Sequence, residues 1–257
     1  NIYANALTGS TIKSISLPTI SSRDIHGYNL TGDSQLFHVT LANPSDGGTF
    51  TNVIVKYTIA GAQFADIASF EYNAGGTWLP MGSRATETYI QGATDVHGEF
   101  GLAPAGFPIG PSFSDTSEFR VTFTTGKVYP VTLQLVDRAA GDALLDDFTS
   151  SAVVYVKPII TSPNLVGPYL VGIPQAVSLT ITNPSPVPAP FNLVLNLPVG
   201  TTVVYNGTTY TCTSTGCTIP VLLPDASNVL PLSITFNAPF AAALPVAVSM
   251  SRPNWPP

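Results

Sequence analysis

The chain has 257 residues, enough to bury two ordinary cores, yet only 9% of them are charged while 44% are hydrophobic. A soluble monomer normally carries about a quarter to a third charged residues on its surface, so something other than charge manages this one. Nine scattered Lys and Arg and a net charge of −6 exclude a nucleic-acid binder, which needs a basic footprint.

Taken in chain order, the sequence opens at Asn1 without Met and without a basic segment leading into an apolar run, which reads as a mature exported chain. Residues 1–20 alternate weakly, with Ile2, Ala4 and Ala6, then Ile15 and Leu17, at every second position. That pattern predicts an extended arm able to add as a strand to a neighbouring sheet edge. Next comes His38-Val39-Thr40-Leu41-Ala42-Asn43-Pro44-Ser45, in which Phe37, Val39 and Leu41 predict the inward phase of a strand that Pro44 ends. Further strands are predicted at 53–59, 67–72, 118–123, 128–137 and 151–156, since Val, Ile, Tyr and Phe alternate there between Gly, Pro and Asp punctuation.

The second part repeats the first. Ser178-Leu179-Thr180-Ile181-Thr182-Asn183-Pro184-Ser185 echoes the earlier stretch, and Asn192-Leu193-Val194-Leu195 echoes Asn52-Val53-Ile54-Val55, at one offset of 140 residues (183 − 43 and 192 − 52). The strand that opens this copy puts Val177, Leu179 and Ile181 inward. Strands at 193–197, 203–205, 208–211, 230–236 and 244–250 follow, with Asn206-Gly207 predicting a two-residue hairpin turn. Eight of the nine basic and 14 of the 15 acidic residues fall in 1–157, and none occurs from 158 to 224. Pro158 and Thr161-Ser162-Pro163 therefore mark a boundary between domains 1–157 and 158–257. The expected fold class is all-β, two consecutive immunoglobulin-like β-sandwiches. No apolar run reaches the ~18 residues of a membrane span.

Several motifs carry a family resemblance. In the second domain these are Thr-Ile-Thr-Asn-Pro-Ser, Leu197-Pro198-Val199-Gly200, the Cys212 and Cys217 pair and Leu232-Ser233-Ile234-Thr235-Phe236. In the first they are Phe70-Glu71-Tyr72, Gly76-Thr77-Trp78-Leu79-Pro80, Gly106-Phe107-Pro108 and Phe119-Arg120-Val121-Thr122-Phe123. With these the chain resembles the conserved-repeat immunoglobulin-like domains of bacterial and archaeal cell-surface proteins. The resemblance implies an extracellular or cell-surface location and a structural or adhesive role, without catalytic residues.

The candidate chemistry is sparse. Cys212 and Cys217, the only cysteines, are spaced to close a small loop and read as a disulfide in an exported chain. Asn29-Leu30-Thr31 and Asn206-Gly207-Thr208 make Asn29 and Asn206 glycosylation candidates. Asp95, His97 and Glu99 share one face of an extended segment, where a solvated face outweighs a metal site. Asp142, Asp146 and Asp147 read as solvated turn residues. Lys56, a candidate for a covalent amide cross-link, lies out of phase with its inward neighbours, and Trp78 with Tyr72 offers a sugar platform only if both rings are exposed. No catalytic motif, metal site or cofactor is expected. The leading expectation is a secreted, non-enzymatic subunit whose partners are copies of itself, assembled into a filament, sheath or layer. The alternative is a monomeric adhesin or carbohydrate-binding module, with cell-surface or matrix glycans as partners.

Overall fold

Alternation of buried and exposed residues along short Val-, Ile-, Thr- and Tyr-rich segments produces strands almost throughout, and the chain is all-β. The structure, a computed structural model, describes residues 16–24, 28–84, 87–101, 107–163, 169–238 and 248–251. Its contacts divide the chain between Val154 and Tyr155 into two units. Among the described residues the helical content is two single turns of 3-10 helix, at Phe64–Asp66 and Arg138–Ala140.

The first unit contains β1 (Thr19–Arg23), β2 (Tyr28–Leu30), β3 (Ser34–Ala42), β4 (Phe50–Ala60), β5 (Ile67–Ala74), β6 (Thr77–Pro80), β7 (Glu87–Gln91), β8 (Asp95–Phe100), β9 (Phe107–Ile109), β10 (Ser114–Phe123), β11 (Val128–Asp137) and β12 (Ala143–Tyr155). One sheet runs β1-β3-β10-β5-β6 and the other β2-β12-β11-β4-β8-β7, with β9 also on β4. The order β1-β3-β10-β5 against β12-β11-β4 is the A-B-E-D against G-F-C arrangement of an immunoglobulin sandwich. Between the sheets Phe37, Val39 and Leu41 meet Val55, Tyr57, Ile59, Leu133 and Leu135, all buried. Phe37 stacks on Phe119 at 5.4 Å between ring centres, and Phe70 meets Tyr57 edge-on at 5.3 Å, so aromatic rings fill this core.

The second unit contains β13 (Ile159–Pro163), β14 (Gln175–Asn183), β15 (Ala189–Leu195), β16 (Thr202–Tyr205), β17 (Thr208–Thr211), β18 (Cys217–Leu223), β19 (Ala226–Thr235) and β20 (Val248–Ser251). Its sheets run β13-β14-β19-β16-β17 and β18-β15-β20, so β13-β14-β19-β16 repeats the A-B-E-D order. Its buried side chains are mainly aliphatic, Leu179, Ile181, Leu193, Leu195, Ile219, Leu223 and Ile234 among them, with Phe191 and Phe236.

The repeat read in the sequence is structural down to the register. Thr19 pairs with Ala42 and Ile20 with Leu41, while Ile159 pairs with Thr182 and Ile160 with Ile181, at the same offset of 140 (159 − 19). Residues 161–163, expected to mark the boundary between domains, belong to β13, the opening strand of the second unit.

Other expectations need correcting. The strand expected from 151 begins at Ala143, because a bulge between Leu135 and Val136 lets β12 continue past its acidic pair. Asp146 is not a solvated turn residue: its carboxylate accepts the Ile20 N–H at 2.8 Å. The proposed N-terminal arm 1–20 is too long, since Ile20 is buried, residues 19 and 20 belong to β1 and Ser16 bridges Gly47. Residues 1–15 lie outside the described residues, as do 244–247 of the last expected strand and Arg252.

Candidate functional site

Because side chains alternate across a strand, the outward positions of each sheet follow directly from the register. On the sheet built from β13, β14, β19, β16 and β17, those positions include Ala176, Ser178, Thr180 and Thr182, paired with Ser233, Pro231, Val229 and Ser227. Val204 and Thr202 extend the face beside Ser233 and Thr235. Val229 is 63% exposed, yet no side chain on these positions is ionisable. The opposite sheet is alike: Thr218, Pro220 and Leu222 of β18 are exposed, Leu222 at 63%, beside Asn192 and Val194 of β15. Among the described residues of this unit only Lys157 and Asp225 carry charge. Both faces are weakly polar and carry no charged side chain among the described residues.

Cys212 and Cys217 are joined by a disulfide, with their Cα atoms 4.2 Å apart. The loop they close is pinned by reciprocal backbone hydrogen bonds between Thr213 and Gly216, both 3.1 Å. Asn206 and Gly207 take φ of 47° and 77° at the tip of the β16–β17 hairpin, where Asn206 is exposed. Asn29 is different. It is 2% exposed and its Nδ2 donates to the Val153 carbonyl at 3.3 Å, so in the folded chain this nitrogen is not open to a glycan.

The outer faces of the first unit are charged. Lys56 does point outward: its Nζ lies 2.8 Å from Asp142 and 3.7 Å from Glu99. Arg138 grips both Glu99 oxygens at 2.8 Å and reaches Asp142 at 3.2 Å. Asp142 thus closes an ion network, and the Lys56 hydrogen bond, aided by Arg138, holds its carboxyl below the usual carboxylate range. Amide formation with this acid needs its carboxyl protonated, the reverse of the direction in which Asp142 is shifted. Asp95 bonds to His97 at 2.8 Å, whereas Glu99 is taken by Arg138, so the alternating trio does not converge. Among the described residues no three or more His, Cys, Asp and Glu are grouped to hold a metal ion.

Trp78 and Tyr72 do not form a platform. Trp78 pairs with Asn73 and Leu79 with Tyr72, which sends the two rings to opposite faces. Tyr72 packs on the core, and Trp78 lies under the Arg120 guanidinium at 4.4 Å, itself bonded to Glu71 at 2.6 Å.

What sequence reasoning missed is the role of Asn43 and Asn183. Both are 2% exposed. Asn43 Nδ2 donates to the carbonyls of Gly48 and Gly110, each at 2.8 Å. Asn183 Nδ2 lies 3.1, 3.1 and 3.2 Å from the carbonyls of Val187, Leu223 and Pro224, and its Oδ1 accepts the Ser185 N–H. Each Asn ties the end of its strand to the turn that follows and to another strand end, and the repeated Asn-Pro-Ser was the available signal.

No family model matches the chain, and no curated protein matches it. Among solved structures it is similar to the partial N-terminal region of an enterococcal surface protein, at 9% identity over 92% of this chain and 88% of that one, TM-score 0.38. It is similar also to the C-terminal domain of the AgI/II polypeptide BspA of Streptococcus agalactiae, at 10% identity over 84% and 89%, TM-score 0.33. A third is AvmM, described as catalysing macrocyclization in alchivemycin A biosynthesis, at 12% identity over 54% and 89%, TM-score 0.41. Surface proteins and an enzyme stand side by side here, and scores of this size carry no argument about function.

Proposed function

We propose that the chain is an extracellular structural subunit that associates with copies of itself, with the second unit supplying much of the contact surface. The observation that carries this reading is the pair of sheet faces without ionisable side chains around the exposed Val229 and Leu222. Water-exposed apolar positions on uncharged sheet faces favour association, since burial stabilises by roughly 25 cal/mol per Å² and no charge has to be desolvated. The disulfide fits an oxidising compartment. No catalytic centre is part of this reading.

Electron microscopy of the purified chain tests it. Polymers or layers are expected, and Val229→Lys or Leu222→Lys should disperse them with little change in thermal stability, because both side chains are exposed. A wild-type chain that stays monomeric at high concentration would defeat the proposal. A second reading, a glycan-binding module, has one observation in its favour. An open depression of ≈ 390 Å³ on the outer face of β4, β8 and β7 is lined by Lys56, Thr58, Thr88, His97 and Gln134. Saturable glycan binding by a monomer, lost in Gln134→Ala, would favour this alternative.

A further inference from the structure

β10 is half covered. Along its length it pairs with β3, from Ser114 opposite Ala42 to Thr122 opposite Ser34. On the other side β5 joins only from Tyr72 opposite Phe119 to Ile67 opposite Phe123. β5 turns away through Gly75 and Gly76, at φ of 64° and 93°, into β6. Residues 114–118 therefore have, among the described residues, no strand on that side, and every second N–H and C=O there points away from β3.

The sandwich is also unfilled beside this edge. Asp115 and Ser117 occupy the inward positions opposite Leu41 and Val39, where the alternation that buries Phe119, Val121 and Phe123 calls for apolar side chains. A cavity of ≈ 280 Å³ is lined there by Leu41, Tyr72, Phe100, Phe107 and Phe119, with Asp115 and Ser117. Arg84 and Glu87 also line it, and burial, followed by the Glu87 carboxylate beside it, pushes the Tyr72 phenol up in pKa.

An open strand edge running beside a cavity with aromatic and aliphatic walls and a polar rim is the form of site that an extended peptide fills, its backbone completing the ladder and alternate side chains entering the cavity. A compact small molecule matches the cavity but not the edge. We propose that 114–118 and this cavity receive residues 1–7 of a second copy, an inference that rests on the self-association proposed above. That segment offers Ile2, Ala4 and Ala6 at every second position without a charged side chain. The described chain starts at Ser16, bridged to Gly47, and fifteen extended residues reach up to ~50 Å, enough to engage a neighbour. β1 lies on the far side of β3 from the open edge, so the same molecule's segment would have to cross the ends of β3 and β10 to reach it.

Two variants of the full chain with one added cysteine each, Ala4→Cys and Ser117→Cys, the native Cys212–Cys217 disulfide kept intact, mixed under mild oxidation, test the assignment. Only copies of different chains can then form the 4–117 disulfide. Its yield, mapped by mass spectrometry, should exceed that of Ala4→Cys with Thr209→Cys, an exposed control, at least tenfold. Polymers that form without preferential 4–117 linkage would overturn the acceptor site and leave self-association standing. If the wild-type chain forms no assemblies at any concentration, both fall together.

Discussion

At the scale of single residues, the two strand-ending asparagines do the same work in both units, and their hydrogen bonds set a magnitude. Removing the Asn183 amide takes its two donors from the carbonyls of Val187 and Leu223 and leaves the Ser185 N–H without its Oδ1, while the Pro224 carbonyl keeps the Asn228 amide, so Asn183→Ala should cost roughly 2–4 kcal/mol. Asn43→Ala should cost a similar amount, and Asn183→Asp should not rescue, because a carboxylate cannot donate to carbonyls. Urea titration of each variant checks this, with an unchanged stability for Asn183→Ala refuting the clamp. The disulfide is a smaller device. Cys212 and Cys217 are five positions apart, and loop-closure entropy for so short a loop gives about 2 kcal/mol. The double variant Cys212→Ser, Cys217→Ser should stay folded with that much less stability, whereas global unfolding would show that the loop is needed to complete the sheet.

At the scale of strands, what the sequence made legible was the repeated unit and the inward phase. Phe37, Val39 and Leu41, then Val177, Leu179 and Ile181, are buried as their alternation required. The hairpin at Asn206-Gly207 was legible for a local reason, its positive φ angles. Less legible were β6 to β9 and β18. β6 and β7 are short and lie at sheet edges, so their residues need not alternate cleanly, and in β18 Pro220 argues against a strand although it sits at a regular outward position. The acidic pair in β12 misled because Asp146 is held by a backbone N–H from β1, a contact 126 residues away that no local pattern encodes. Trp78 and Tyr72 were separated by a register that depends on where the β5–β6 hairpin turns. The uncharged faces of the second unit follow from composition alone; the open half of β10 does not, since it exists only because β5 stops short.

At the scale of the whole chain, 14 of the 15 acidic residues lie in one unit, and this predicts unequal responses to acid. In the first unit Asp142 is held below the ordinary carboxylate range by Lys56 and then Arg138, and Glu71 by Arg120. Burial pushes Asp66 up, but hydrogen bonds from Thr125, Lys127 and the Gln63 N–H outweigh it and its carboxyl also titrates low. A carboxylate whose folded pKa is depressed contributes stability that is present above its unfolded value, near about 4, and is lost as pH falls through the folded value. These side chains are partly exposed, so each contribution is modest, but all have the same sign. Among the described residues the second unit has Asp225 as its sole carboxylate side chain and no His, so its stability has almost nothing to titrate. Hydrogen exchange read by mass spectrometry at pH 7, 4 and 2.5 should show protection falling with acid in peptides from 1–154 and holding in those from 155–257. Equal loss in both would mean that the charge pairs of the first unit are not what acid attacks. Persistence of the second unit has a further consequence for assembly. If its uncharged faces alone hold copies together, polymers should survive pH values at which the first unit has begun to open, whereas light scattering that falls in step with the first unit would assign the contact to the 114–118 edge.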